Sequence, residues 1–194
     1  MPEEKQKIIF LEGRIVNLCL FTKDDIPTLT RWINDPELRD FLRSVLPKTE
    51  KQQEDWFNKL GSNEENIVLG IETKESILIG SMGVYQINWR DRVCTTVSWI
   101  GEKEYWGKGY GTDAKMFLLD YIFNTLNLRK VCSSVITFNE RSLQYNLRCG
   151  YVREGLRRQH VFKKGKYWDM IDLGLFKEEW LPIWERYRET GNVR

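Results

Sequence analysis

The 194-residue chain holds a single histidine, His160, and that scarcity excludes a metal site built from several imidazoles within one chain. A serine hydrolase would depend on that one residue, and no Gly-x-Ser-x-Gly segment stands beside it. The four cysteines, Cys19, Cys94, Cys132 and Cys149, form no Cys-x-x-Cys pair. A zinc ribbon or dense disulfide scaffold is thereby excluded, no bound metal is expected, and free, mostly buried thiols are the expectation. Charge of one sign is also lacking: 30 Lys and Arg stand against 28 Asp and Glu, a net +2. Bulk charge therefore does not mark a nucleic-acid binder, and no direct nucleic-acid contact is expected. The densest apolar stretch, Met116–Phe123, is interrupted by Asp120 and too short to span a bilayer. The start, Met1-Pro-Glu-Glu-Lys-Gln-Lys, is charged and has no signal-peptide core. A soluble, cytoplasmic protein without a membrane partner is expected. With no internal repeat and no linker rich in Pro or Gly, the chain reads as one domain over residues 1–194.

What is present is ample material for a core: 41% hydrophobic residues, with nine Phe, eight Tyr and eight Trp. Arg14–Leu20 predicts a strand. Thr22-x-x-Asp25 opens a helix to about Asn34, with Ile26, Leu29 and Ile33 on one face, and Asp35-Pro36 breaks it. The capping pattern Thr49-x-x-Gln52 starts a second helix running through Trp56, Phe57 and Leu60. Strands follow at about 66–73, 77–86 and 93–100. Ala114, Phe117, Leu118, Tyr121 and Ile122 then share a helical face, before a strand at 130–137 and a short helix at 141–149. Strands near 156–163 and 166–175 are joined by the turn Lys164-Gly165, and a helix bearing Trp180, Trp184 and Tyr187 closes the chain. That helix offers a homodimer contact. The order predicts an α/β fold: a mixed sheet of about seven strands with helices on both faces.

Chemistry concentrates in Val97–Ala114, VSWIGEKEYWGKGYGTDA. A strand ends at Ile100, three glycines follow at 107, 109 and 111, and a helix opens near Thr112. Such a loop turns backbone N–H groups into one concavity beside the positive end of a helix, which suits a pyrophosphate. A plain glycine-rich turn is the bland alternative. The P-loop spacing is absent. Gly109-x-Gly111-x-x-Ala114 meets the loose dinucleotide pattern, but it leaves a late strand and finds no acidic partner in residues 125–139.

Gly107-Lys-Gly-Tyr-Gly-Thr112 after Trp99-Ile100 resembles the acyl-coenzyme-A loop of the GNAT N-acetyltransferases. Asn139 through Gly150-Tyr151 resembles their next signature. Arg153-Glu-Gly155 and Gly165-Lys-Tyr-Trp-Asp169 resemble the RimJ/RimL-type branch. The likeness spans about residues 12–180, with Trp106 standing where the family has Arg or Gln. It implies acetyl-CoA as co-substrate and an amine as acceptor. It also implies a V-shaped splay between the strands near 95–100 and 130–136, into which the pantetheine arm fits. Cofactor contacts are then expected from Trp99 and Ile100, from Trp106, Gly107, Lys108, Gly109, Tyr110, Gly111 and Thr112, and from Asn139 and Ser142.

The transfer itself calls for further groups. A main-chain N–H near Trp99 or Ile100 is the candidate oxyanion donor. Glu102 and Glu104 are candidate bases for the acceptor, or else solvated loop carboxylates. The position that commonly carries a Tyr acid in the family is Asn146, with Tyr145 one step earlier and rotated by about 100 degrees. Asn146, Ser142 or water is therefore expected to hydrogen-bond the leaving thiol. The resemblance places the acceptor among the first two helices and the last hairpin, where Trp32, Asn34 and Trp168 are candidates. An acidic zone, Asp24 to Asp40, suits a polyamine, so a spermidine-type or amino-sugar acetyltransferase is the alternative. A non-catalytic module binding CoA or nucleotide is the alternative of another class.

Overall fold

The computed structural model describes residues 7–42 and 44–193; the charged segment Met1–Gln6 lies outside them. Eight strands form one sheet: β1 (Ile9–Glu12), β2 (Val16–Cys19), β3 (Ile67–Thr73), β4 (Leu78–Asn88), β5 (Val93–Ile100), β6 (Lys130–Ile136), β7 (Val152–Lys163) and β8 (Lys166–Phe176). They run in the order β1-β2-β3-β4-β5-β6-β8-β7. The helices are α1 (Ile26–Asn34), α2 (Pro36–Phe41), α3 (Glu50–Phe57), α4 (Tyr110–Asp120), α5 (Glu140–Arg148) and α6 (Lys177–Thr190). Strand β1 and helix α2 go beyond the predicted elements, so the sheet has eight strands among the described residues where about seven were expected. The sequence hid α2 because Asp35 ends one helix and starts the next: its side chain accepts from the N–H groups of Glu37 and Leu38.

Every neighbouring pair of strands is antiparallel except β5 and β6. That pair is parallel because α4 connects it, crossing from one strand's end back to the next strand's start. Pairing covers only Val93–Lys130, Cys94–Val131 and Thr95–Cys132. Beyond Thr95 both strands continue but no longer pair with each other. The expected splay is therefore present, and it opens at Thr96.

Two apolar clusters lie on opposite faces of the sheet. The larger gathers α4, α5 and α6 over the strands, with Met116, Leu118, Leu119 and Trp180 fully buried. Trp180 and Trp184, read from the sequence as dimer contacts, are spent inside this core. The smaller packs Phe21, Leu29, Trp32 and Leu38 of the α1–α3 side. Trp32, rather than the predicted Ile33, completes the buried face of α1. Three of the four thiols are buried, Cys132 is half-buried, and all are free.

Gly101 shows how tightly the second cluster is joined to the splay. A Cβ there would lie 2.2 Å from the Trp32 ring, and that indole is 1% exposed, so it cannot yield. Gly101→Ala is expected to destabilise the fold by about 3 kcal/mol, the upper end of ordinary overpacking. Gly155→Ala, with nothing within 4 Å, serves as the near-neutral comparison in urea denaturation.

Candidate active site

A cavity of about 820 Å³ opens where β5 and β6 part. Its walls are Thr95–Ile100 of β5, Ser133–Ile136 of β6, the loop 105–109, the first turn of α4, and the start of α5. Every residue expected at the cofactor lies on this wall: Trp99, Ile100, Trp106, Gly107, Lys108, Gly109, Tyr110, Gly111, Thr112, Asn139 and Ser142.

Local rules explain the loop. Gly107 and Gly109 have φ of +75° and +90°, values costly for any residue with a Cβ. Gly109 is the cap of α4, whose first backbone bond runs from the Asp113 N–H to the Gly109 carbonyl at 3.0 Å. Helix geometry therefore leaves the N–H groups of Tyr110, Gly111 and Thr112 without an intrahelical acceptor, at the positive end of the dipole. The helix opens two residues before the predicted Thr112.

Charge on the wall is of one sign. Among the described residues Arg14, Lys108, Arg141 and Arg148 line the cavity, and no carboxylate does. Three of these cations were not among the expected residues. Arg141 and Arg148 sit inside the quoted 139–151 segment, but their direction depends on the phase of α5. Arg14 comes from 90 residues away in sequence and had no signal. Arg141 lies 3.9 Å above the Trp106 ring, whose Nε1 donates to the Ile100 carbonyl at 2.8 Å. Trp106 thus closes one end of the cavity instead of offering the family's polar side chain.

The strand edge adds directional donors. The Gly101 N–H donates to the Ile79 carbonyl on β4, and the ladder between β4 and β5 keeps its register from Gly80–Ile100 to Tyr85–Thr95. Two-residue alternation sends the Trp99 and Val97 N–H groups toward β4 as well. It turns those of Ser98 and Ile100 into the opening. Of the two expected oxyanion donors, Ile100 faces the cavity and Trp99 does not.

Other expectations are corrected. Glu102 and Glu104 do not line the cavity. Glu102 Oε1 accepts from the Trp32 indole at 3.0 Å and pairs with Arg31, while Glu104 is exposed. Asn146 is buried on the wall, but its Nδ2 donates to the Ser142 carbonyl at 2.8 Å, leaving Oδ1 as an unpartnered acceptor. A departing thiolate needs a donor, so the amide as oriented serves it poorly. Tyr145, set aside on helical phase, does reach the wall. Its hydroxyl lies 3.1 Å from the Gly111 carbonyl and 3.2 Å from Ser98 Oγ. Burial raises its phenol well above the ordinary value, so it stays protonated.

The acceptor candidates fall elsewhere. Trp32 is core, edge-on to Trp99 at 5.4 Å. Asn34 ties α1 to the backbone of Lys48 by two bonds. Trp168 packs on Phe138 and donates to the Lys163 carbonyl. In their place, Leu38, Phe41 and Leu42 of the α2 region and Met170 of β8 line the cavity.

Cations, free helix-start amides and an unpaired strand edge together fit a diphosphate carrying an extended amide-containing arm, and thus CoA. Comparisons with known proteins agree. A family model for the acetyltransferase (GNAT) domain matches residues 16–152. The SPbeta prophage-derived uncharacterized N-acetyltransferase YokL of Bacillus subtilis is 24% identical over 172 residues, 89% of this chain and 96% of that protein. The spermidine N(1)-acetyltransferase of Vibrio cholerae is 29% identical over 111 residues, 57% of this chain and 64% of that protein. The crystal structure of spermidine N-acetyltransferase from Vibrio cholerae in complex with CoA and spermine superposes with a TM-score of 0.80 at 23% identity. It covers 86% of this chain and 98% of that one.

Proposed function

Since the chain belongs to the GNAT acetyltransferase family and is an acetyl-CoA-dependent N-acetyltransferase, we propose that it acetylates a primary amine of a protein N-terminus or small molecule by direct attack on the thioester. The motifs at 153–155 and 165–169 support the RimJ/RimL-type branch, the continuous sheet supports a single catalytic domain, and four free thiols suit the cytoplasm.

The observation that carries this reading is the unzipped edge of β5 beside a cavity lined by cations. The α4 amides with Lys108, Arg141 and Arg148 hold the diphosphate. The arm lies along β5 as a strand would. The Ile100 N–H donates to the carbonyl oxygen as charge grows there. As the acceptor nitrogen bonds to the acyl carbon, the C–S bond breaks and its electron pair goes to sulfur. The Ser142 hydroxyl, on the wall, is the side-chain donor offered to that sulfur; the Tyr145 phenol joins it only by leaving the Gly111 carbonyl to which it donates. With no carboxylate or histidine among the described residues of the wall, the amine's proton leaves to water. A thiol ionises near 8.5, so no strong acid is required.

A polyamine acceptor is the second reading, favoured by the spermidine-acetylating relatives. Four of the five acidic residues of that zone are, however, already engaged, Asp25 with Lys7 among them. Asp35 and Glu37 both pair with Lys103, and Asp40 pairs with Lys164. Thiol release from acetyl-CoA, measured with a peptide α-amine, spermidine and glucosamine, separates the readings. The peptide or another weakly charged amine is expected to exceed spermidine at least tenfold. Spermidine as the best acceptor would reverse the order of the two, and release with none of many amines would leave a CoA-binding module.

A further inference from the structure

Lys115 has no part in the chemistry derived above, yet its setting is unusual. Its side chain is 1% exposed, inside the larger core, and it belongs to none of the ion pairs of the described residues. Its Nζ donates to Thr96 Oγ1 at 2.8 Å and lies 5.3 Å from the Tyr151 ring and 5.6 Å from the Tyr145 ring. Thr96 is the first residue of β5 past the last pair with β6, and it lines the cavity. Its hydroxyl also meets Tyr151 Oη at 2.7 Å. The residue at the fork is thus clamped from behind by a buried cation and a phenol.

A buried charge with no countercharge is costly, and an apolar residue of like volume would ordinarily serve stability better. A negative charge does arise along the same strand edge, but only during reaction: on the thioester oxygen, then on the departing sulfur. The geometry points to Lys115 as a positioning residue of the acyl transfer, its ammonium fixing through Thr96 the strand edge that carries the thioester and setting a positive charge behind it. This inference rests on acetyl-CoA lying in the fork.

Burial pulls the Lys115 ammonium down to about 8. The titratable groups packed around it are Cys94 of β5, Tyr145 and Cys149 at α5, and Tyr151. Burial pushes both thiols up to about 12 and both phenols well above their usual range, so all four stay neutral through pH 9. Asp113, two residues back on α4, turns its carboxylate to the amides of residues 14–16. Lys115 alone therefore changes charge here: it is cationic below about pH 8 and neutral above.

Lys115→Met tests the assignment. With acetyl-CoA and the fastest amine of the panel, kcat is expected to fall at least tenfold while the KM for acetyl-CoA stays within threefold. The melting temperature should hold or rise, because an uncompensated charge has been removed. In the wild type, kcat should descend between pH 8 and 10, and in Lys115→Met that descent should vanish. Thr96→Val, which keeps the cation but removes its acceptor, disfavours the charged form and should move the descent to lower pH. A measurement without any acceptor uses CoA itself: thiolate absorbance of the bound thiol should titrate below the free value of about 8.5 in the wild type and return to it in Lys115→Met. An unchanged kcat and thiol titration in Lys115→Met would overturn the inference. So would parallel losses of kcat, KM and melting temperature, which mark a purely structural role. Failure of every amine with the wild type would instead sink the acceptor reading, and the thiol titration would still decide this one.

Discussion

Asp113→Ala should cost about 4 kcal/mol of stability, a large share of the 5–15 kcal/mol typical of a folded domain. The Asp113 side chain is 0% exposed and acts as a four-way acceptor. Oδ2 takes the N–H groups of Ile15 and Val16 at 2.8 and 2.9 Å, while Oδ1 takes the Arg14 N–H at 3.2 Å and the Tyr187 hydroxyl at 2.5 Å. One side chain therefore joins the entry to β2, the first turn of α4 and the end of α6. Gly13 exists for this contact, since a Cβ there would lie 2.6 Å from Oδ2. Truncation leaves several donors buried without partners, each worth roughly 1–3 kcal/mol. Asp113→Asn keeps one oxygen but aims an amide at the remaining donors, so an intermediate loss of about 2 kcal/mol is expected. Tyr187→Phe removes a single donor and should cost about 1 kcal/mol. Chemical denaturation should reproduce that order, and an Asp113→Ala protein within 1 kcal/mol of wild type would refute the junction.

Gly109→Ala should weaken acetyl-CoA binding by about tenfold to a hundredfold with only a small loss of stability. At φ +90° a Cβ costs roughly 1–2 kcal/mol, and the loop can relieve it only by rotating the peptide units on either side. Those units aim N–H groups into the cradle, so relief of strain is paid in lost donors. Space is not the issue, because the nearest atom to a Cβ there is Ile15 Cδ1 at 4.0 Å. Gly111→Ala is the informative partner: it has ordinary backbone angles and contacts no closer than 3.7 Å, so the loop itself should keep its shape. Titration calorimetry with acetyl-CoA, beside circular dichroism for the fold, checks both. Affinity in Gly109→Ala within threefold of wild type would show that the loop amides do not carry the diphosphate.

Much of this was legible because the governing physics is local. The period of two in β3 to β5, the capping box at Thr49–Gln52 and the Lys164-Gly165 turn, with φ of +52° and +75°, depend on neighbours a few residues away. The side chains that would do chemistry were less legible. Glu102 read as a base because a carboxylate beyond a strand end is equally plausible in solvent or in a site. Only the fold reveals that Trp32 and Arg31, some 70 residues earlier, have already engaged it.

From residue order alone come the glycine bend, the helix whose exposed amides begin the anion cradle, and the two strands that border the opening, since backbone stereochemistry and hydrophobic period write themselves into short windows. Which cations turn inward, which strand amides face the gap, and where Lys115 and Asp113 are buried were decided by packing between distant segments. Burial and electrostatic pairing depend on three-dimensional proximity, and no short window of sequence encodes it.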